Sequence, residues 1–248
     1  MIKLLPYQQI KDLIKNNYIV CPDGLLQPAS LDVLCLNDEL RIKKNDTVEL
    51  KLDINLGKLE RQTDITYMYS SRSTTARNGI DVKFNRINKS LIITPLAYNI
   101  VLPPKARLGQ FYFYKVFRNE PNTYKTQKFK IDTCVEYFGN SEYKLSGLIK
   151  PNSFYLAKSK TLCKIPKDHV GILQENVDNY RTHLNAGFFD PSFKGKAVLE
   201  IVSLDALKVK DVRAKLTLVP LIEPTKFKYS GNYQNQNSIE SILPKTQY

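Results

Sequence analysis

No two cysteines in this sequence have CxxC spacing, and no HxE element occurs. The four cysteines, Cys21, Cys35, Cys134 and Cys163, stand far apart, and the two histidines, His169 and His183, lie in HVG and HLN contexts. A zinc-activated water needs clustered His and Cys ligands, so these absences argue against a zinc-dependent deaminase. Scattered cysteines fit a reducing, cytoplasmic compartment. No run of about 18 apolar residues is present, and lysines interrupt the opening MIKLLPYQQIKDLIKNN. Neither a membrane span nor the apolar core of a signal peptide is therefore expected. GxxxxGK[ST] is missing as well, which removes P-loop ATPase chemistry.

What is present is a chain of 248 residues, 42% hydrophobic when Tyr and Cys are counted, enough for one sizeable core or two modest ones. Lysine and arginine number 37 against 24 acids, a net charge of +13. Such a chain attracts nucleotide phosphates, nucleic acid or acidic membrane, although lysines interspersed through the chain also describe an ordinary soluble surface.

Periodicity gives one helix, residues 7–16, with Ile10, Leu13 and Ile14 on one face and Pro6 at its start. Short β-rich runs follow at 91–94, 98–102, 110–115, 153–157, 169–174, 196–202 and 215–219, bounded by Pro, Asn, Asp and Gly. With no alternating helices, a barrel or sandwich is expected, in one copy or two. The turn cluster Asn119-Glu120-Pro121-Asn122 places a boundary near residue 120, and 126–138 retains strand character. A loose internal repeat lays 91–113 on 198–218, with Arg107 and Arg213 at corresponding places. After Pro224 the composition turns polar, which suits either a frayed terminus or a flap that closes over a ligand.

Three stretches could carry chemistry. In KAVLEIV, residues 196–202, Glu200 stands among aliphatics on a strand, where Val198 and Val202 share its face. The pattern alone favours a surface or ion-paired acid; in an apolar cleft, desolvation would instead raise its pKa and make it a base effective near neutral pH. Ahead of it, Ala186-Gly187 permits close backbone approach, Asp190-Pro191 and Lys194-Gly195 mark turns, and Phe188, Phe189 and Phe193 offer either a ring-binding wall or core aromatics. Residues 70–79, SSRSTTARNG, hold hydroxyls and two arginines of the kind that grip phosphate, although an exposed Ser/Thr-rich turn would look similar. Residues 27–33, QPASLDV, read as a turn running into a strand with Asp32 as an internal acid.

Together these stretches resemble the dCTP deaminase and dUTPase superfamily. QPASLDV is similar to the opening motif of dCTP deaminases, SSRSTTARNG to their phosphate-binding motif, and 186–200, AGFFDPSFKGKAVLE, to the signature ending in their catalytic glutamate. SFYLA at 153–157 and GNYQNQ at 231–236 bring the chain closest to bacterial dCTP deaminases with two fused β units. The resemblance implies a mainly β fold, a dUTPase-like distorted barrel of β-clip or jelly-roll kind, with a short N-terminal helix. It also implies a unit at 1–120 carrying the serine and arginine motif, a unit at 121–224 carrying the glutamate, and a flap at 225–248.

Implied too are zinc-independent deamination of dCTP to dUTP and ammonia, Mg2+ carried on the triphosphate, no protein-bound metal, and a cytoplasmic homo-oligomer with sites between β units. Nucleic acid and membrane are not expected partners. Glu200 would be the general base, Ala186 would position water or the amino group, and Arg77 would join the catalytic set. Ser71, Ser73 and Arg77 would hold phosphates or orient the base, Asp190 would support the sugar, and Tyr233 and Gln236 belong to the flap. Asn232 stands where single-unit relatives often have lysine, so one phosphate contact is expected to be missing.

The first unit has Ile93 about where Glu200 falls, and 176–179 replace the serine and arginine run in the second. A composite site is therefore expected, within the chain or across subunits, with Arg181 as another phosphate contact. Two alternatives stand: a dUTP pyrophosphatase, or a bifunctional deaminase and dUTPase; and a nonenzymatic nucleotide or nucleic-acid binder. The run Asp190, Pro191, Ser192 and Phe193, together with the retained Glu200, favours attack on the base over attack on phosphorus.

Overall fold

Helix α1 (Tyr7–Lys15) begins after Pro6, whose carbonyl accepts from Gln9 and Ile10, and stops where Asn17 turns left-handed at φ 57. Ile10 is buried, with Leu13 and Ile14 packed against the same core, as the periodicity requires. The computed structural model describes residues 1–35, 38–121, 123–138, 141–144, 147–151, 153–175, 182–184, 187–203, 206–212, 214–231, 233–237 and 239.

Among the described residues, nine strands precede residue 120: β1 (Ile2–Leu4), β2 (Leu31–Leu34), β3 (Leu40–Ile42), β4 (Val48–Lys51), β5 (Thr66–Ser71), β6 (Ile80–Asn85), β7 (Ser90–Pro95), β8 (Ile100–Leu102) and β9 (Arg107–Val116). Two short helices, α2 (Gly57–Gln62) and α3 (Ser73–Arg77), interrupt them. Strand β9 organises this part, pairing β5 along one edge and β1 and β2 along the other. A second sheet runs β4-β7-β6, and β3 pairs β8.

The later strands are β10 (Lys125–Phe129), β11 (Ile131–Phe138), β12 (Ser141–Lys144), β13 (Leu148–Ile149), β14 (Phe154–Lys164), β15 (His169–Glu175), β16 (Thr182–Leu184), β17 (Phe188–Phe189), β18 (Lys194–Ser203), β19 (Leu207–Lys208) and β20 (Ala214–Pro220). They form the sheets β10-β20-β15-β17 and β12-β11-β14-β18-β16, and the pair β13-β19. The 126–138 stretch falls in β10 and β11.

The fold is thus predominantly β with short helices, but the described strands close no barrel. That expectation is corrected to open sheets packed on one another. Register shifts at Val33/Leu34 and between Lys158 and Leu162 bend β2 and β14 at bulges, and the pairing stops at free edges. Among the described residues, no helix is long and apolar enough to cross a membrane.

The largest buried cluster joins Ile10, Leu31, Phe111 and Phe113 to Phe154, Leu156 and Val198. Apolar burial of this kind dominates the stability of a β fold and here couples early strands to β14 and β18. Leu4 adds a parallel bridge to Leu221, and Ile222 donates to the Leu4 carbonyl at 2.9 Å. Helix α3 packs on β6 and β9, and its Arg77 reaches Glu200 of β18.

Candidate active site

Helix α3 is short because the chain around it forces both ends. Arg72 is extended at its start, and Gly79 follows it at φ 68, where a side chain would strike the Ala97 Cβ at 2.4 Å. Thr75 donates to the Arg107 carbonyl at 2.9 Å, and Asn78 bonds the Thr74 carbonyl and the Tyr98 hydroxyl. The run read as a phosphate loop is therefore a largely buried helical turn, and it aims Arg77 inward.

Glu200 comes from the middle of β18, opposite Leu156 on β14. Only 1% of it is exposed, so it is neither a surface acid nor a solvated one. Its Oε1 lies 3.8 Å from the Arg77 Nε, and among the described residues neither carboxyl oxygen has a hydrogen-bond partner. Burial drives its pKa up to about 8 against the opposing pull of Arg77. Near neutral pH such a carboxyl exists in both forms, and can take a proton and return it.

The tail docks on the same arginine. Arg77 donates from Nη2 to the Gln236 Oε1 at 2.6 Å, and its guanidinium lies 4.0 Å from the centre of the Tyr233 ring. The Tyr233 hydroxyl reaches the Thr74 Oγ1 at 3.0 Å, Lys196 donates to the Gln236 carbonyl, and Asn235 to that of Lys194. With the tail in place the cavity beside Arg77 is about 40 Å³, lined by Arg72, Thr74, Gln110, Asp190 and Tyr229 among others. That volume holds about one water.

Asp190 forms the other wall. It is 7% exposed, and burial first, then Asp32, push its pKa up to about 7 while Arg72 and a backbone bond from Ala29 oppose the rise. Its carbonyl closes a turn by accepting from Phe193 at 3.2 Å, with Pro191 at the second position and Ser192 held at φ 68 in the third. Asp32 has no exposure; Arg72 meets its Oδ1 at 2.6 Å and Arg107 its Oδ2 at 2.8 Å. Burial raises the Asp32 pKa, and the two guanidinium groups resist.

The structure therefore gathers Glu200, Arg77, Ser73, Asp190, Tyr233 and Gln236, with Ser73 lining the cavity beside Thr74. Ser71 is not placed there: it is 3% exposed and its hydroxyl donates to the Val82 carbonyl at 2.9 Å. Ala186, Arg181, Asn232 and 176–179 lie outside the described residues. Gly187 makes its close approach to the Leu173 carbonyl, 2.6 Å from where a Cβ would stand. Phe188 and Phe193 are buried, Phe188 stacked on Tyr112 and Phe193 edge-on to Phe189 and Tyr229, so these rings pack the corner and, with Phe189, also form an apolar side of the cavity. Arg72 and Thr74 belong to the run 70–79 that sequence offered as a phosphate grip; Gln110 and Tyr229 were not singled out, although Gln110 carried the same signal as Glu200, a lone polar residue in an apolar strand.

Comparison with known proteins adds the following. Residues 107–211 match the family described as dCTP deaminase-like. A dUMP-forming dCTP deaminase of Methanobrevibacter smithii is 26% identical over 170 residues, 63% of this chain and 86% of that protein. A dUMP-forming dCTP deaminase of Streptomyces coelicolor is 24% identical over 172 residues, 63% of this chain and 88% of that one. A solved structure, the 2'-deoxycytidine 5'-triphosphate deaminase of Agrobacterium tumefaciens, shares the fold with a TM-score of 0.70 at 15% identity, covering 91% of this chain and 99% of its own.

Proposed function

We propose that this chain, a homologue of the dCTP deaminase and dUTPase superfamily, converts dCTP and two waters to dUMP, ammonia and pyrophosphate. This corrects the expectation that dUTP is the product, because the similar deaminases of Methanobrevibacter smithii and Streptomyces coelicolor are dUMP-forming. Glu200 could not have signalled the difference. A base is needed for attack at C4 whichever product leaves, and the residues around Asp190 do not report on the later attack at phosphorus.

The observation that carries the reading is the Arg77–Glu200 contact, a buried carboxyl poised near neutrality beside a guanidinium. Glu200 takes a proton from water as its oxygen bonds to C4, then delivers a proton to the leaving ammonia. Arg77 limits how far the Glu200 pKa rises. Held by Tyr233 and Gln236 once the tail has settled over the nucleotide, its guanidinium supplies positive charge that favours departure of pyrophosphate. Asp190 supports the sugar. Hydroxyl and guanidinium donors at Ser73, Thr74 and Arg72 suit phosphate oxygens, and Mg2+ would arrive on the triphosphate.

We read the chain as two β units, 1–120 and 121–224, with a flap at 225–248. In support, every sheet takes its strands from one side of residue 120, and β6-β7-β4 pair in the same scheme as β16-β18-β14. Ile93 is buried and apolar in the first unit, which leaves one glutamate site per chain. Copies are expected to associate, but the Arg77–Glu200 pair needs no second copy. Against nucleic-acid binding, Phe188 and Phe193 are inside and offer no stacking platform.

Incubation with dCTP and Mg2+, followed by separation of products, tests the function. Equal amounts of dUMP, ammonia and pyrophosphate are expected; accumulation of dUTP, or inertness, would reject the reading. Because the cavity beneath the docked tail holds about one water, the tail must lift before the nucleotide binds and settle again over it. Tyr233→Ala removes the Arg77 stack and the Thr74 bond, and is expected to lower kcat/KM by about tenfold. Steady-state kinetics, with a thermal melt to confirm an intact fold, measures this.

A further inference from the structure

Asp32 is among the most buried charged residues of the chain, yet the proposed chemistry does not use it. Its two oxygens hold two different arginines, Arg72 at 2.6 Å and Arg107 at 2.8 Å. Groups bound to opposite oxygens of one carboxylate are neighbours, and the two guanidinium charges exceed that of the carboxylate between them, with Asp190 the further acid facing Arg72. Arg72 lines the cavity next to Ser73 and Thr74. Arg107 is fixed through its carbonyl, which accepts from Thr75 of α3, while its side chain is 47% exposed. Among the described residues Asp32 is the sole hydrogen-bonding partner of either guanidinium. Each arginine has five donor N–H groups, so most remain to be used, and phosphate oxygens match their geometry.

We propose that Arg107 is a further substrate-binding residue that contacts the terminal phosphate of the nucleotide, and that Asp32 is a positioning residue that holds Arg107 and Arg72 as one clamp. This rests on the reading of the chain as an enzyme acting on a nucleoside triphosphate. Asp32 is set on β2 opposite Gln110 of β9, the strand that also carries Arg107, so sheet register fixes the clamp. A purely architectural triad would tie β2 to α3 but would have no reason to leave Arg107 half in solvent.

The test compares dCTP with dCDP in the full chain and its variants. Arg107→Ala is expected to raise KM for dCTP by about tenfold or more, the worth of a charge-assisted hydrogen bond, and to leave kcat and the KM for dCDP unchanged. Arg107→Lys should restore part of the loss. Asp32→Asn should raise KM for both nucleotides, since it loosens Arg72 as well.

Calorimetric titration with inorganic tripolyphosphate gives a readout independent of turnover, in which Arg107→Ala should weaken binding to a similar degree. Equal effects of Arg107→Ala on dCTP and dCDP, or unchanged tripolyphosphate affinity, would overturn the clamp. If the unaltered protein binds tripolyphosphate through Arg107 but forms no dUMP, the proposed reaction fails and the clamp stands.

Discussion

Glu200→Gln is expected to reduce ammonia release from dCTP by about 10²- to 10⁴-fold, the usual range for a lost general base, and at the same time to stabilise the fold in mild alkali. Both effects come from burial. The carboxyl is 1% exposed, with a pKa pushed from 4.5 to about 8. Its folded pKa lies above its unfolded one, so the folded state holds the proton more tightly. Stability is then fullest below about pH 4.5, declines as pH rises towards 8, and levels off above it. Glutamine fills nearly the same space and does not ionise, so the variant should match the unaltered protein near pH 4 and exceed it by a few kcal/mol near pH 8. Asp190, raised to about 7, contributes a similar slope that persists in the variant. Denaturant unfolding at the two pH values, beside an ammonia assay, separates the effects: reduced stability at pH 8 would mean that Glu200 has polar partners which the structure does not show.

Arg77→Lys should be almost as damaging as Arg77→Ala, with losses on the order of 10²-fold or more in kcat/KM. Lysine keeps the charge but has neither the planar face that lies on Tyr233 nor the fork that bonds Gln236 while facing Glu200. The two variants should differ in their pH profiles. Arg77 is the group that lowers the Glu200 pKa against burial, so Arg77→Ala should move the acidic limb of kcat/KM above its expected position near pH 8, whereas Arg77→Lys should move it less. A profile unmoved in both variants would show that Arg77 does not act on Glu200.

Much of the fold was legible because its signals are local. The helix at 7–16 and the strands at 91–94, 169–174 and 215–219 each coincide with an observed element, since alternation and 3.6-residue periodicity need only neighbours in sequence. Of the earlier strands only β2 was signalled, by the end of QPASLDV; β3 to β6 are short and broken by turns and by α2, and gave no comparable run. Barrel closure was not legible because it depends on which edges pair and where bulges fall. Of the candidate-site residues, Glu200, Arg77 and Asp190 were marked by residue type and context, and the structure places Arg77 against Glu200 and beside Asp190 in one cavity lining. Ser71 was marked with them, but its hydroxyl donates to the Val82 carbonyl, a partner that sequence cannot tell. Arg107 and Asp32, 75 residues apart, form an ion pair that only sheet register reveals. Product identity was the least legible, because the features that mark deamination are silent on phosphorus.

The central claim is that Arg77 from one part of the chain and Glu200 from another complete a single site within one molecule. Mixing the Arg77→Ala and Glu200→Ala proteins, each expected to be strongly impaired alone, and assaying dUMP formation from dCTP tests it most directly. A site closed within one chain gives no gain in activity on mixing, at any ratio of the two. Recovery of dUMP formation in the mixture would place the arginine and the glutamate on different chains and contradict the account.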